Sequence, residues 1–145
     1  MRTGFLNTLV LAILLSLVWP VCVAAQKLTS LTTTANGQGT LTSNSDKYDV
    51  TGVLVILRED GTAAITLFSG LQLYLQGQWS VGEDLRDGID LKITGGVVAG
   101  NAVGTGKLFL RKDKSIRSLN FEAKATSGTL IKVDFEAGEK SKSPN

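Results

Sequence analysis

From Leu71 to Ser80 the chain alternates, with Leu71, Leu73, Leu75 and Trp79 on one side of an extended backbone and Gln72, Gln76 and Gln78 on the other. A two-residue apolar period marks a strand with one dry face and one wet face. The same period recurs at Ile89, Leu91 and Ile93, at Leu119, Phe121 and Ala123, and at Ile131, Val133 and Phe135, each set interleaved with polar residues. No stretch after the first 25 residues sustains a helical period. Turn residues punctuate the pattern at Asp60-Gly61, Ser69-Gly70, Asp87-Gly88, Asp113-Lys114 and Ser127-Gly128. Eight strands are predicted near residues 38–44, 47–58, 62–68, 71–80, 88–95, 104–112, 116–125 and 129–137. Most connections are too short for a crossover, so consecutive strands pair antiparallel. The expected fold class is all-β, an eight-stranded antiparallel up-and-down meander in a closed or nearly closed barrel, because closure removes both exposed edges. A two-sheet sandwich is the alternative. Leu57-Arg58-Glu59-Asp60-Gly61-Thr62 echoes Leu110-Arg111-Lys112-Asp113-Lys114-Ser115, as two similar hairpins would.

The first residues change the picture from fold to destination. Arg2, the apolar run Leu9–Leu15, the helix-breaking Pro20 and the small residues Val23-Ala24-Ala25 read as an export signal over residues 1–25, cleaved before Gln26. Cys22 is the one cysteine; Trp19 and Val21 stand where lipid attachment wants an aliphatic and a small residue, which argues against a lipoprotein. The expected layout is then a Thr/Ser-rich leader at 26–37, a barrel domain at 38–137 and a disordered tail at 138–145. The product is exported, to the periplasm or outside the cell, with no transmembrane span after signal cleavage.

Composition removes several chemistries. The 145 residues include no histidine, and the exported part has no cysteine, so no disulfide, catalytic triad or zinc cluster can be assembled. Asp134 and Glu136 share a strand face with Lys132 and read as solvated, not as a cleft pair. An enzyme is not expected, and neither is a cofactor. Lys and Arg number 15 against 13 Asp and Glu, a net charge of +2 that falls to +1 without Arg2, which argues against nucleic acid as partner. The charge is uneven, however. Residues 26–90 hold four basic against eight acidic side chains, and residues 91–145 ten against five, enough to give the fold an acidic and a basic side.

Four features remain as candidate sites. Glu83, Asp84 and Asp87 cluster in one loop, where calcium is conceivable, although Arg86 sits among them and the spacing fits no EF-hand. Lys107, Arg111, Lys112, Lys114 and Arg117 gather around one hairpin, either to keep it soluble or as a patch for an anionic partner. The Gly-rich stretch Gly95–Gly106 fails as a phosphate loop, since Leu108 stands where Ser or Thr should follow Lys107, and reads as a mobile, mostly apolar loop or lid. Finally, the 53–57 strand is apolar on both sides, and Phe68, Tyr74, Phe109 and Leu130 fall off-phase with their dry neighbours. Together these are expected to form an outer apolar patch for a partner, a dimer or the N-terminal leader.

The run Leu75-Gln76-Gly77-Gln78-Trp79-Ser80-Val81-Gly82-Glu83-Asp84, followed by Ile89-Asp90-Leu91-Lys92-Ile93, resembles a pattern of lipocalin-like small bacterial β-barrels, in which a Gly-x-Trp meets a short polar turn and an alternating strand. In lipocalins that motif lies on the first strand; here it closes the fourth. The resemblance implies a barrel and carries over no binding residue. The expected function is an exported, non-catalytic binding module that holds a small apolar ligand or an envelope component. The alternative is a structural or interaction protein with a filled barrel core, using the outer apolar patch and the basic hairpin. Large interior side chains favour the second, and gaps opposite Gly52, Ala63 and Gly77 favour the first.

Overall fold

The computed structural model describes residues 27–70, 72–96 and 101–139. Eight strands follow one another: β1 (Leu31–Ser43), β2 (Asp46–Leu57), β3 (Thr62–Ser69), β4 (Gln72–Val81), β5 (Ile89–Gly96), β6 (Ala102–Leu110), β7 (Ile116–Ala125) and β8 (Leu130–Ala137). Each pairs antiparallel with the next, and β8 returns to β1 over Gly37–Ser43, so the sheet is a closed barrel. That last pairing excludes the sandwich. Among the described residues no helix is long and apolar enough to cross a membrane. The export signal at 1–25 and the tail from residue 140 lie outside the described residues.

Two strands begin earlier than their sequence pattern announces. β1 starts at Leu31, inside the stretch read as a leader, because its inward positions Thr33, Ala35, Gly37 and Gly39 are small and break the apolar alternation. β6 starts at Ala102 and not at 104, so Gly104 and Gly106, which fall both in the predicted strand and in the Gly-rich stretch read as a loop, belong to the strand. The lid expected over Gly95–Gly106 thus shrinks to a connection between Gly96 and Ala102, of which residues 97–100 lie outside the described residues.

Alternation fills the interior. Val53, Val55, Leu67, Leu75, Ile89, Leu108, Leu119, Val133 and Phe135 all have 0–1% of their surface exposed and belong to one cluster. Glycines let the strands close around it. A Cβ on Gly106 would stand 2.8 Å from Phe121 Cα and closer still to Asn120 O, one on Gly39 would stand 2.8 Å from Phe135 Cα, and one on Gly77 would collide with the Lys92 carbonyl. At these positions the backbones approach closely where β6 meets β7, β1 meets β8 and β4 meets β5, and only glycine leaves room for the neighbouring strand. The space opposite Gly77 is therefore taken by the backbone of β5.

Three hairpin turns share one design, which explains the internal echo. Arg58 N–H donates to Thr62 O, Arg111 N–H to Ser115 O and Ala125 N–H to Thr129 O, at 2.8–2.9 Å. The fourth turn residue is left-handed in each, with φ of 81° at Gly61, 64° at Lys114 and 88° at Gly128. The third residue accepts from the fifth. Asp60 Oδ1 takes the Thr62 N–H and hydroxyl, and Asp113 Oδ1 takes those of Ser115. Short Asp side chains that hold the backbone two residues on are what such turns require.

Candidate functional site

Trp79 sits at the barrel end formed by the β2–β3 turn, the β4–β5 loop and the residues before β1. Its indole N–H donates to Arg58 O at 2.9 Å, and its backbone N–H donates to Gly61 O at 2.9 Å. The end of β4 is thereby clamped to the β2–β3 turn. Beside Trp79, Leu28 is turned inward and 7% exposed, closing the barrel end from the N-terminal side. An open hollow of about 940 Å³ lies over these two, with Val81 and Leu85 as further apolar lining and Glu59 and Glu83 among its charged rim.

The acidic loop is occupied with its own geometry. Leu85–Asp87 forms one turn of 3-10 helix capped by Asp84, whose Oδ1 accepts the Arg86 N–H at 2.8 Å. Asp84 Oδ2 accepts from Arg86 Nε at 2.7 Å and pairs with its Nη2 at 2.6 Å. The Arg86 side chain, then its backbone N–H, holds the Asp84 carboxyl below its ordinary range, and Asp84 in turn raises Arg86. Glu83 and Asp87 remain exposed on either side. Among the described residues no group of three or more acidic, Cys or His side chains is arranged to hold a metal.

The basic residues are divided. Arg111 turns back on the fold, its guanidinium donating to Ile116 O at 2.7 Å, Ala137 O at 3.1 Å and Gly138 O at 3.2 Å. Lys107 donates to Asp87 O at 3.2 Å and stands 3.5 Å from Asp90. Lys112, Lys114 and Arg117 stay exposed around the β6–β7 turn. Of the five basic residues four are exposed, Lys107 beside Asp90 among them, and Arg111 is half-buried.

The off-phase apolar residues are also divided, and here the strand order concentrates some of them. On the outside of the barrel, registered cross-strand rows read Thr32-Ile56-Ala64-Gln76, Thr34-Leu54-Thr66-Tyr74 and Asn36-Gly52-Phe68-Gln72 across β1, β2, β3 and β4. No side chain in the three rows is charged. Leu54, Ile56 and Tyr74 are half-buried and Phe68 is 40% exposed, while Val53, Val55 and Leu57 on the same strand face the core. Two polar groups of this region are already engaged. Gln76 Nε2 donates to Tyr74 Oη at 3.1 Å and Thr51 Oγ1 to Phe68 O at 3.2 Å. Phe109 is not part of this face: its ring lies over Gly88, where a Cβ would stand 2.9 Å from Cε1. Leu130 lies on the opposite half, in one cross-strand row with Lys124 and, beyond it, Val103.

The outer rows of β5–β8 contrast with these. Asp90-Lys107-Asn120-Asp134 and Lys92-Thr105-Glu122-Lys132 set acidic and basic side chains beside one another. Lys132 stands 3.3 Å from Glu122 and 3.9 Å from Asp134. The sequence reading expected an outer apolar patch, but not which of its residues share one face, since that depends on register between four strands; it also missed the bond from the Trp79 indole to Arg58 O. No family model matches the chain, and no curated protein or solved structure matches it.

Proposed function

We propose that this protein is an exported, non-catalytic interaction barrel that works through the outside of β1–β4 and not through a ligand held in its interior. The observation that carries this reading is the packing of the core. A chamber able to hold a ligand would leave accessible surface on the side chains lining it, yet Val53, Val55, Leu75, Leu108, Leu119, Val133 and Phe135 have none beyond 0%. An eight-stranded barrel is just wide enough for its own side chains or one small ligand, and here Leu, Ile, Val and Phe occupy that width. Turned outward, Leu54, Ile56 and Phe68 form the kind of apolar, charge-free surface that marks the centre of protein contacts.

The export reading rests on residues 1–25, and the non-catalytic reading on a chain without histidine or exported cysteine. A place among lipocalin-like barrels is supported by the eight-strand order and by Trp79 at one barrel end. Native mass spectrometry of the purified protein, with thermal shifts across a fatty-acid panel, tests the reading. Ligand-free mass and no shift are expected; a retained lipid-like ligand would overturn it.

A further inference from the structure

We infer that the barrel end formed by the β1–β2, β3–β4, β5–β6 and β7–β8 connections rests in the surface of a lipid membrane. This adds a second surface to the outer-face reading above and does not depend on it. Three observations favour a lipid layer at this end.

First, charge divides the two ends of the barrel. Up-and-down order sends alternate connections to opposite ends. The connections at residues 58–61, 82–88 and 111–115 hold three, four and four charged side chains. Those at 44–45, 70–71, 97–101 and 126–129 hold none. Turn shape does not impose the difference. The turns that begin at Arg58, Arg111 and Ala125 share one design, yet Ser127 takes the place that Asp60 and Asp113 hold at the other end.

Second, among the described residues the exposed large apolar side chains all stand at the uncharged end. Phe68 is last but one in β3, Val103 second in β6 and Leu130 first in β8, with 40%, 61% and 53% of their surface exposed. No two of these strands are neighbours in the closed barrel, so the three side chains girdle the end and do not form a patch on one side. A folded protein partner covers one side. A fluid layer that takes in the whole end covers all three together.

Third, polar groups at this end are already bonded within the chain. The Thr126 N–H and hydroxyl both donate to Asn101 O, at 3.1 and 2.8 Å, and the Leu130 N–H donates to Asn44 Oδ1 at 3.0 Å. Backbone groups with internal partners lose less on leaving water for a lipid surface. The nearest charges suit headgroups. Asp46 and Lys47 are consecutive in β2 and offset each other, while Lys124 shares a row with Val103 and Leu130. A lysine in that place lays its stem along apolar neighbours and sends its ammonium to a phosphate.

Vesicle co-sedimentation of the chain from Gln26 onward, free of the residues read as a signal, tests this. Three side chains bind no more tightly than one acyl chain, at about 10⁴ M⁻¹, so about 1–5 mM lipid is needed. Binding is expected both to phosphatidylcholine vesicles and to vesicles with added phosphatidylglycerol, and it should persist at high salt. Val103→Gln and Leu130→Gln should each weaken it about threefold, and together about tenfold, with circular dichroism and melting temperature as in the parent. Using two positions keeps the test open if one variant fails to fold. Lys112→Glu at the charged end and Leu54→Lys on the outer face should leave vesicle binding unchanged. Protein that stays in solution with every vesicle overturns the inference while the outer-face reading stands. Binding confined to phosphatidylglycerol, and abolished by salt and by Lys112→Glu, overturns it too and moves the contact to the β6–β7 turn. Capture by delipidated envelope proteins, lost in Leu130→Gln while vesicles capture nothing, replaces the lipid layer with a protein partner and likewise overturns it.

Discussion

The two halves of the barrel share one core and present opposite exteriors. Over three rows β1–β4 turn Thr, Asn, Gln, Leu, Ile, Phe and Tyr outward, with Lys47 and Asp49 beyond them on β2, while β5–β8 turn out Asp90, Lys92, Lys107, Glu122, Lys132 and Asp134 in neighbouring rows. Inside, both halves contribute leucine, isoleucine and valine buried to within a few per cent. The difference teaches that alternation specifies a barrel through its inner positions alone, leaving outer positions free to carry another message. The halves meet at two seams, β1–β8 and β4–β5, and glycines line both.

Breaking the frame that both halves share gives the largest effect. Gly106→Val places atoms where Phe121 and Asn120 already stand, so the chain should fail to form the native sheet. Gly82→Val, with nothing within 4 Å of its Cβ position, should fold normally by circular dichroism. Phe135→Ala empties a fully buried site beside the β1–β8 seam and should lower stability by about 3–5 kcal/mol in urea denaturation. Trp79→Phe keeps an aromatic ring but removes the donor to Arg58 O and part of the indole's bulk, and at least about 1 kcal/mol should go with them.

The exteriors themselves should matter less. Lys132→Met breaks two exposed ion pairs of the charged half, and the change in stability should stay below about 1 kcal/mol and shrink with salt. Acid sharpens the contrast within the turns. The Thr62 hydroxyl, then its N–H, depresses the Asp60 carboxyl, as Arg86 depresses Asp84. Groups with lowered native pKa values add stability above their unfolded pKa, near 3.8, and withdraw it as the pH falls through the lower native value. Melting temperatures should fall slightly from pH 5 downward, and less steeply in the Asp60→Asn and Asp84→Asn double variant.

Strand number, pairing sense and the dry positions Leu73, Leu75, Leu91, Ile93, Val133 and Phe135 are legible in the sequence because large apolar residues at period two have one place to go. The start of β1 is not, because Thr33, Ala35, Gly37 and Gly39 fill narrow inner positions with residues that read as loop. Gly104 and Gly106 mislead for the same reason. The basic cluster is legible as composition, yet the folding back of Arg111 onto Ala137 and Gly138 needs a contact 26 residues along the chain. Leu54, Ile56, Phe68 and Tyr74 can each be picked out as off-phase, but only register unites them.

Trp79 also gives the protein an optical gauge. The chain has two tryptophans, and the other, Trp19, lies in the segment read as an export signal. In protein prepared from residue 26 onward a single indole, fixed to Arg58 O and lying beside Leu28, dominates the emission. Its wavelength and quenching by iodide should follow one end of the barrel alone, so that displacement of Leu28 can be watched without attaching a dye.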